Sequence, residues 1–352
     1  MDIRTEHIKN PGTKPSDTGL GFGKYFTDHA FLCDWSESKG WHDARVVPRA
    51  PISLDLGACV FHYGQALFEG MKAFHGADSQ DRILHMSYLA QRMRNGADRL
   101  CLPPPPDEVF IEGVKAVVKT DRDWIPSTRG CSLYIRPCLI GTENFLGLRP
   151  ANEALFFVIL SPVGTYYAHG FEPVKIWVEE KMVRTAPGGL GATKAGANYA
   201  ASLRAALDAK HKGYEQVLWL DAIEHKYVEE VGSMNIVFKI GDEVISPALL
   251  GTILGGSTRK AVLEICRHWG LKVTERRITM DEVIEAAKAG TLEAFGTGTA
   301  AVISPVGEFS YKGETVKVGD GTAGPLAKRL LSAIQAIQYG EAPDELGWAT
   351  QF

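Results

Sequence analysis

The chain has 352 residues, enough for two domains with separate cores, and its 45% hydrophobic and 23% charged content is that of a globular protein. Its 42 acidic residues outnumber the 38 basic ones, and the net charge of −4 argues against a basic nucleic-acid face. Cys33, Cys59, Cys101, Cys131, Cys138 and Cys266 form no C-x-x-C pair and no zinc-type spacing, so reduced thiols and no metal site are expected. With no apolar leader segment and no block of like charge suited to a membrane surface, the reading is a cytoplasmic protein.

Residues 1–20 are polar and carry Pro11, Gly12 and Pro15, which reads as a mobile N-terminal arm. Residues 21–162 then form the smaller, α/β domain. Within it, residues 86–100 put Leu89, Met93 and Ala97 on one helical face and stop before the prolines Pro103 to Pro106. Asp107 is placed to cap a second helix, whose apolar stripe is Val109, Phe110, Val114, Val117 and Val118. Residues 133–139 and 155–160 are strand-like apolar runs. The prolines and glycines around Tyr166 and Tyr167 mark an interdomain linker over 163–173.

Beyond the linker, strands over 174–179, 217–221, 236–240 and 244–246 alternate with helices over 197–210, 259–269 and 325–339. Thr279-Met280-Asp281-Glu282 is a capping box that opens a further helix, and Gly290 can close it. The strands and helices keep no β-α-β rhythm. The fold class is therefore α+β, with residues 174–352 as the larger domain built on a closed or barrel-like sheet.

Chemistry concentrates around one lysine. Lys194 lies in Gly188-Gly189-Leu190-Gly191-Ala192-Thr193-Lys194-Ala195-Gly196, among small residues and with no acid beside it in sequence. Poor solvation lowers a lysine's pKa and leaves its amine nucleophilic. Taken alone, the segment also suits a solvated glycine-rich loop. It is not a nucleotide-hydrolase phosphate loop, because Thr193 and Ala195 stand where glycine and Ser or Thr are required, and it lacks the third glycine of a dinucleotide fingerprint. Gly255-Gly256-Ser257-Thr258-Arg259 precedes an amphipathic helix whose N-terminus would attract an anion. Gly296-Thr297-Gly298-Thr299-Ala300-Ala301 is a second small-residue turn with hydroxyl and N–H donors. Glu229 and Glu230 stand at the mouth of an apolar strand; only one can point inward, and periodicity does not choose between them.

Several blocks together resemble one family: Phe22 to His29, Leu67-Phe68-Glu69-Gly70-Met71-Lys72-Ala73-Phe74, Tyr134-Ile135-Arg136-Pro137, Lys194 to Tyr199, Glu230-Val231-Gly232-Ser233-Met234-Asn235 and Phe295 to Ala300. The chain resembles the branched-chain amino-acid aminotransferases, which are fold-type IV pyridoxal-phosphate enzymes, from Phe22 to its C-terminal helix. The resemblance implies a small N-terminal domain, a larger pseudo-barrel domain, pyridoxal 5′-phosphate as cofactor, and a homodimer. It implies that Lys194 is the Schiff-base lysine and the base moving a proton between Cα and C4′. Glu230 would face the pyridine nitrogen, Tyr199 the ring hydroxyl, and Arg92, Ser257, Thr258 and Thr299 the phosphate. Phe22, Tyr63, Phe68, Tyr166, Ser233 and Ala300 would line the substrate side chain, while Arg136 with Tyr134 would receive the second carboxylate of glutamate. Leu146 and Leu148 would lie on a loop reaching the partner subunit's site. One departure stands out. Ala301 and Ser304 occupy the positions of a C-x-x-C pair found in mammalian relatives, which argues against a thiol switch. A D-amino-acid aminotransferase or an aminodeoxychorismate lyase of the same fold type is the alternative, against which the Tyr134–Arg136 and Glu69–Lys72 blocks speak. A non-catalytic phosphate-ligand binder on the same scaffold would lack Lys194.

Overall fold

The computed structural model describes residues 1–164 and 171–352, so Tyr166 and most of the linker expected at 163–173 lie outside the described residues. The chain divides into two compact units. One comprises Met1–Ala168, Thr193–Ala197 and Ala336–Phe352; the other comprises His169–Ala192 and Asn198–Gln335.

Among the described residues, the first unit carries a nine-stranded sheet. Its strands are β1 (Arg4–Thr5), β2 (His29–Ser36), β3 (Gly40–Pro48), β4 (Ala66–Phe68), β5 (Met71–His75), β6 (Asp81–Leu84), β7 (Ser132–Gly141), β8 (Glu153–Val163) and a C-terminal strand, Ala349–Gln351. They run in the order β1-β3-β2-β8-β7-β5-β6 and then the C-terminal strand, with β4 also paired to β7. The long β7–β8 ladder extends from Ser132↔Val163 to Gly141↔Ala154. Side chains alternate along a strand, so Tyr134 and Arg136 share one face of β7, while the register sets Tyr134 opposite Lys72.

Helices α1 (Cys59–Tyr63), α2 (Met86–Arg99) and α3 (Asp107–Thr120) complete this unit. The periodic positions are the buried ones: Leu89, Met93 and Ala97 on α2, and Val109, Phe110, Val114, Val117 and Val118 on α3. Asp107 departs from expectation. The residue before the helix is Pro106, and Asp107 is its first residue, where with Glu108 it complements the positive end of the helix dipole instead of capping. The core between helix and sheet centres on Phe31, Phe110 and Phe156, all fully buried, with Phe156 tilted 5.8 Å from Phe110 and edge-on 6.2 Å from Phe31.

The second unit is built on β9 (Val174–Glu179), β10 (Gln216–Leu220), β11 (Val228–Val231), β12 (Met234–Ile240), β13 (Glu243–Pro247), β14 (Lys272–Arg276), β15 (Leu292–Gly298), β16 (Val302–Tyr311) and β17 (Glu314–Lys317). The order β11-β10-β9-β16-β15-β12 closes on itself because β11 also pairs with β12, giving a six-stranded barrel among the described residues. The barrel-like expectation is met. Strands β13 and β14 extend from β12, and β17 flanks β16. The remaining helices are α4 (Gly196–His211), α5 (Ser257–His268), α6 (Met280–Lys288) and α7 (Pro325–Gln338). Half of the capping box forms: the Thr279 hydroxyl accepts from the Glu282 N–H at 3.1 Å, while the Glu282 carboxylate turns to Arg276, and Gly290 follows the helix at φ 71°. No helix among the described residues is long and apolar enough to cross a membrane, and no group of three His, Cys, Asp or Glu there could hold a metal ion.

Gly113 on α3 tests how tightly the first core is packed. A Cβ added there would lie 2.4 Å from the Phe31 ring, and Phe156 stands against that ring on another side. Alanine favours the helix by up to about 1 kcal/mol, while overpacking costs roughly 1–3 kcal/mol. Gly113→Ala is expected to lower the urea unfolding midpoint; a raised midpoint would show that the ring can retreat.

Candidate active site

In the first unit, the segment bearing Lys194 is stitched to β4. The Phe68 N–H donates to the Lys194 carbonyl at 3.2 Å, and Leu67 forms a bridge with Ala195. Gly96 on α2 permits this approach, since a Cβ there would meet Leu67 at 2.8 Å. The Lys194 amine then sits 5.0 Å from the centre of the Phe68 ring. Burial pushes the amine below its ordinary value and Arg92 adds to the fall, while Glu69 opposes it. Sequence shows no acid beside Lys194, but the fold brings Glu69 near it. That carboxylate is held by Arg92, whose Nε and Nη2 donate to Glu69 at 2.7 and 2.5 Å. The phosphate-binding expectation for Arg92 thus falls on a guanidinium already oriented by a buried acid.

Beside this cluster, Arg136 donates to the Tyr134 hydroxyl at 3.1 Å and lies 4.6 Å from the Phe68 ring centre and 5.2 Å from the Tyr134 ring centre. Its Nε is buried with no hydrogen-bond partner. A purely structural ion pair between Arg136 and Glu143 does not form, because Glu143 is taken by Arg149 at 2.6 Å. Phe22 packs edge-on to Tyr134 at 4.9 Å. Tyr63 is part-exposed at the end of α1, and its hydroxyl donates to the Leu146 carbonyl. Leu146 and Leu148 are 63% and 83% exposed, and Leu56 and Phe61, on the segment bridged to this loop through Ala58 and Asn144, are exposed as well.

In the second unit, the β11–β12 hairpin sets Glu230 opposite Asn235. Neither Glu229 nor Glu230 is a surface residue; both are buried. Glu230 accepts from the Leu254 N–H at 2.7 Å and lies 3.4 Å from Arg184. Asn235, which the motif reading quoted without a role, clamps the same turn: its amide donates to the Leu254 carbonyl at 2.8 Å and accepts from the Gly256 N–H at 3.1 Å. A side chain at residue 256 would strike Asn235 Oδ1 at 2.1 Å, so the glycine is required there. This turn leads into α5, whose first residues are buried Ser257 and half-buried Thr258; the leading N–H groups of a helix lack intrahelical partners and favour an anion. Tyr199 lies in the first turn of α4, Thr299 and Ala300 in the turn after β15, and Ser233 is exposed in the β11–β12 turn. The neighbouring Thr297 hydroxyl is buried without a partner.

Gly191 also has a structural reason. A Cβ there would lie 2.3 Å from the Thr252 carbonyl, so Gly191 serves close backbone packing within this unit. Arg184 ties the same region together, donating to the carbonyls of Gly191 and Thr252. Sequence reasoning missed Arg184, Asn235 and Glu69. Of these, Glu69 and Asn235 stood inside quoted motifs, and a charged or polar residue within an apolar run was the available signal.

Glu229 faces a cleft of about 230 Å³ whose wall includes Tyr227, Thr252, Ile253 and Arg277. One of its carboxylate oxygens is buried without a partner, and burial pushes its pKa up from 4.5 to about 7. A carboxyl raised on folding favours the fold when protonated and opposes it when ionised. Its cost is absent below about pH 4.5, grows between there and pH 7, and is fully present above. Glu229→Gln is therefore expected to raise the unfolding free energy at pH 8 by roughly 1–3 kcal/mol and to change it little at pH 4. An equal effect at both pH values in denaturant titrations would refute this.

Residues 66–309 match the family model described as amino-transferase class IV. Branched-chain-amino-acid aminotransferase 2 of Bacillus subtilis (strain 168) is 49% identical over 350 residues, spanning 99% of this chain and 96% of that protein. Branched-chain-amino-acid transaminase 1 of the same organism is 47% identical over 340 residues, spanning 96% of each. Among solved structures, the T.th. branched-chain amino acid aminotransferase with pyridoxamine 5′-phosphate superposes with a TM-score of 0.76 at 28% identity, covering 90% of this chain and 97% of the other. With its barrel, its half-buried lysine and relatives of this identity along nearly its full length, the chain belongs to the class IV aminotransferases, among the branched-chain-amino-acid aminotransferases.

Proposed function

We propose that this protein transfers amino groups between the branched-chain L-amino acids leucine, isoleucine and valine and 2-oxoglutarate, yielding branched-chain 2-oxo acids and L-glutamate. The cofactor is pyridoxal 5′-phosphate. One observation carries the reading: the Lys194 amine, its pKa lowered by burial and by Arg92, lies over the Phe68 ring, on whose face Arg136 also rests. The donor set fits the cofactor. It offers an amine of lowered proton affinity for an aldehyde, a buried carboxylate for a ring nitrogen, and, for a phosphate, the N-terminus of α5 and the hydroxyl-bearing end of β15, where Thr297 is buried without a partner.

Lys194, Arg92, Tyr199, Glu230, Ser257, Thr258 and Thr299 are the residues that would hold it. Pyridoxal 5′-phosphate supplies an aldehyde that takes up amines and a ring that withdraws electrons. The protein supplies the rest. Lys194 Nζ, whose proton affinity is lowered because its charged form is poorly solvated, is the group that would take the substrate Cα proton. Glu230, oriented by the Leu254 N–H and Arg184, would be the carboxylate facing a ring nitrogen. Arg136, steadied on Phe68 and Tyr134, receives a second carboxylate, and Phe22, Tyr63 and Phe68 offer apolar surface to an aliphatic side chain, with Tyr166, Ser233 and Ala300 completing that set. The domain division along the chain is residues 21–162 and 174–352, except that Thr193–Ala197 and Ala336–Phe352 belong with the first unit.

The exposed leucines Leu146 and Leu148 support a homodimer in which this loop meets the partner, and acidic net charge with unpaired cysteines suits the cytoplasm. Sedimentation equilibrium returning a monomer at micromolar concentration would rule the dimer out.

Lys194→Ala is expected to abolish leucine–2-oxoglutarate transamination, at least a thousandfold, while circular dichroism stays native. Near-normal turnover in a coupled glutamate assay would overturn the mechanism. Arg136→Met separates the two substrate classes. A charge-assisted pair with a carboxylate is worth on the order of 1.5–3 kcal/mol, so the Michaelis constants for glutamate and 2-oxoglutarate should rise roughly ten- to a hundredfold. Leucine, with no second carboxylate, should be affected much less. Equal losses for both amino acids in single-turnover kinetics would remove Arg136 from the substrate site.

A further inference from the structure

We propose that Glu69 is a positioning residue for the reaction: its buried carboxylate grips Arg92 at two points and holds that guanidinium, as a neutralised pair, beside the Lys194 amine. The inference rests on the reading of Lys194 and Arg92 as cofactor-holding residues given above.

The geometry is that of a locked pair. Glu69 Oε1 accepts from Arg92 Nε at 2.7 Å and Oε2 accepts from Nη2 at 2.5 Å, so the planar fork has one orientation. The side chains are 1% and 11% exposed, and the Gly70 N–H donates to Glu69 Oε2 at 3.3 Å, which fixes the acid against its own backbone. The strand leading directly into Glu69 is the one stitched to the lysine segment, through the Phe68–Lys194 hydrogen bond and the Leu67–Ala195 bridge. Acid, arginine and amine are thus pinned by one piece of backbone and one helix. A buried ion pair adds little net stability compared with well-packed apolar residues, so stability alone accounts poorly for placing one beside a nucleophile.

The pair also sets the local field. The charged and titratable groups that act on Lys194 are Arg92 from α2, Glu69 from the end of β4, and Tyr134 and Arg136 from β7. Arg92 and Arg136 lower the amine's proton affinity, and Glu69 and Tyr134 raise it. Removing the Glu69 charge leaves two arginines uncompensated, and removing Arg92 leaves the acid. The two changes have opposite signs, and a merely structural role would not produce opposite signs.

The experiment uses the full-length chain freed of cofactor by dialysis. Binding of pyridoxal 5′-phosphate is titrated by visible absorbance, and acylation of Lys194 by an amine-reactive reagent is followed against pH by peptide mass spectrometry. Glu69→Gln should weaken pyridoxal phosphate binding at least tenfold and move the Lys194 labelling midpoint to lower pH. Arg92→Gln should move the midpoint to higher pH, and the double variant E69Q/R92Q should return it towards wild type. Glu69→Asp, which keeps the charge but shortens its reach, should leave the midpoint near wild type while losing affinity. Wild-type affinity and midpoint in E69Q, or shifts of one sign in both single variants, would overturn the proposal. If E69Q does not fold, R92Q and the double variant, which removes both buried charges, decide it: an unmoved midpoint in R92Q overturns the role. Failure of the wild-type enzyme to transaminate leucine would strike the functional reading alone, whereas unmoved midpoints in an active enzyme would strike the role of Glu69 alone.

Discussion

A lysine amine reacts at neutral pH only where water cannot solvate its charged form, and the first unit is organised around that condition. Lys194 is set over the face of Phe68, its segment bonded to β4, with α2 close enough behind to need glycine at residue 96. Charge that would otherwise protonate the amine is managed nearby: the acid that the fold brings in is already committed to Arg92. Desolvation lowers the amine's proton affinity, and the ion pair keeps the surroundings close to neutral.

Arg136 illustrates a related economy of contacts. A guanidinium without a carboxylate partner is costly to bury, yet this one is held by the Tyr134 hydroxyl and by the faces of Phe68 and Tyr134. Weak aromatic contacts fix its position without consuming its charge. An arginine held that way can meet an incoming carboxylate, while the same aromatic rings remain apolar enough for a branched aliphatic chain. Under the proposed function, one wall would serve two chemically unlike substrates.

In the second unit, two adjacent glutamates show how strand geometry separates roles. Glu230 is supplied with a backbone N–H and an arginine, whereas Glu229 turns to the opposite side, where burial without enough partners drives its carboxyl towards neutrality. Asn235 and Glu230 hold the turn before α5 from the neighbouring strands, so the start of that helix is positioned by the barrel and not by the loop's own rigidity.

Much of this was readable from the chain alone. The faces of α2 and α3, the Thr279 cap and strand Val174–Glu179 all follow from spacing and residue chemistry over a few neighbours, which backbone geometry converts directly into local structure. The ordered blocks carried the family. The pairing of β11 with β12 that closes the barrel, the grip of Glu69 on Arg92, the Asn235 clamp and the commitment of Glu143 to Arg149 instead of Arg136 were decided only by tertiary structure. Their partners lie far apart in sequence or in turns without periodicity. Which buried charges meet depends on strand register and topology, and those emerge only when the whole sheet is assembled.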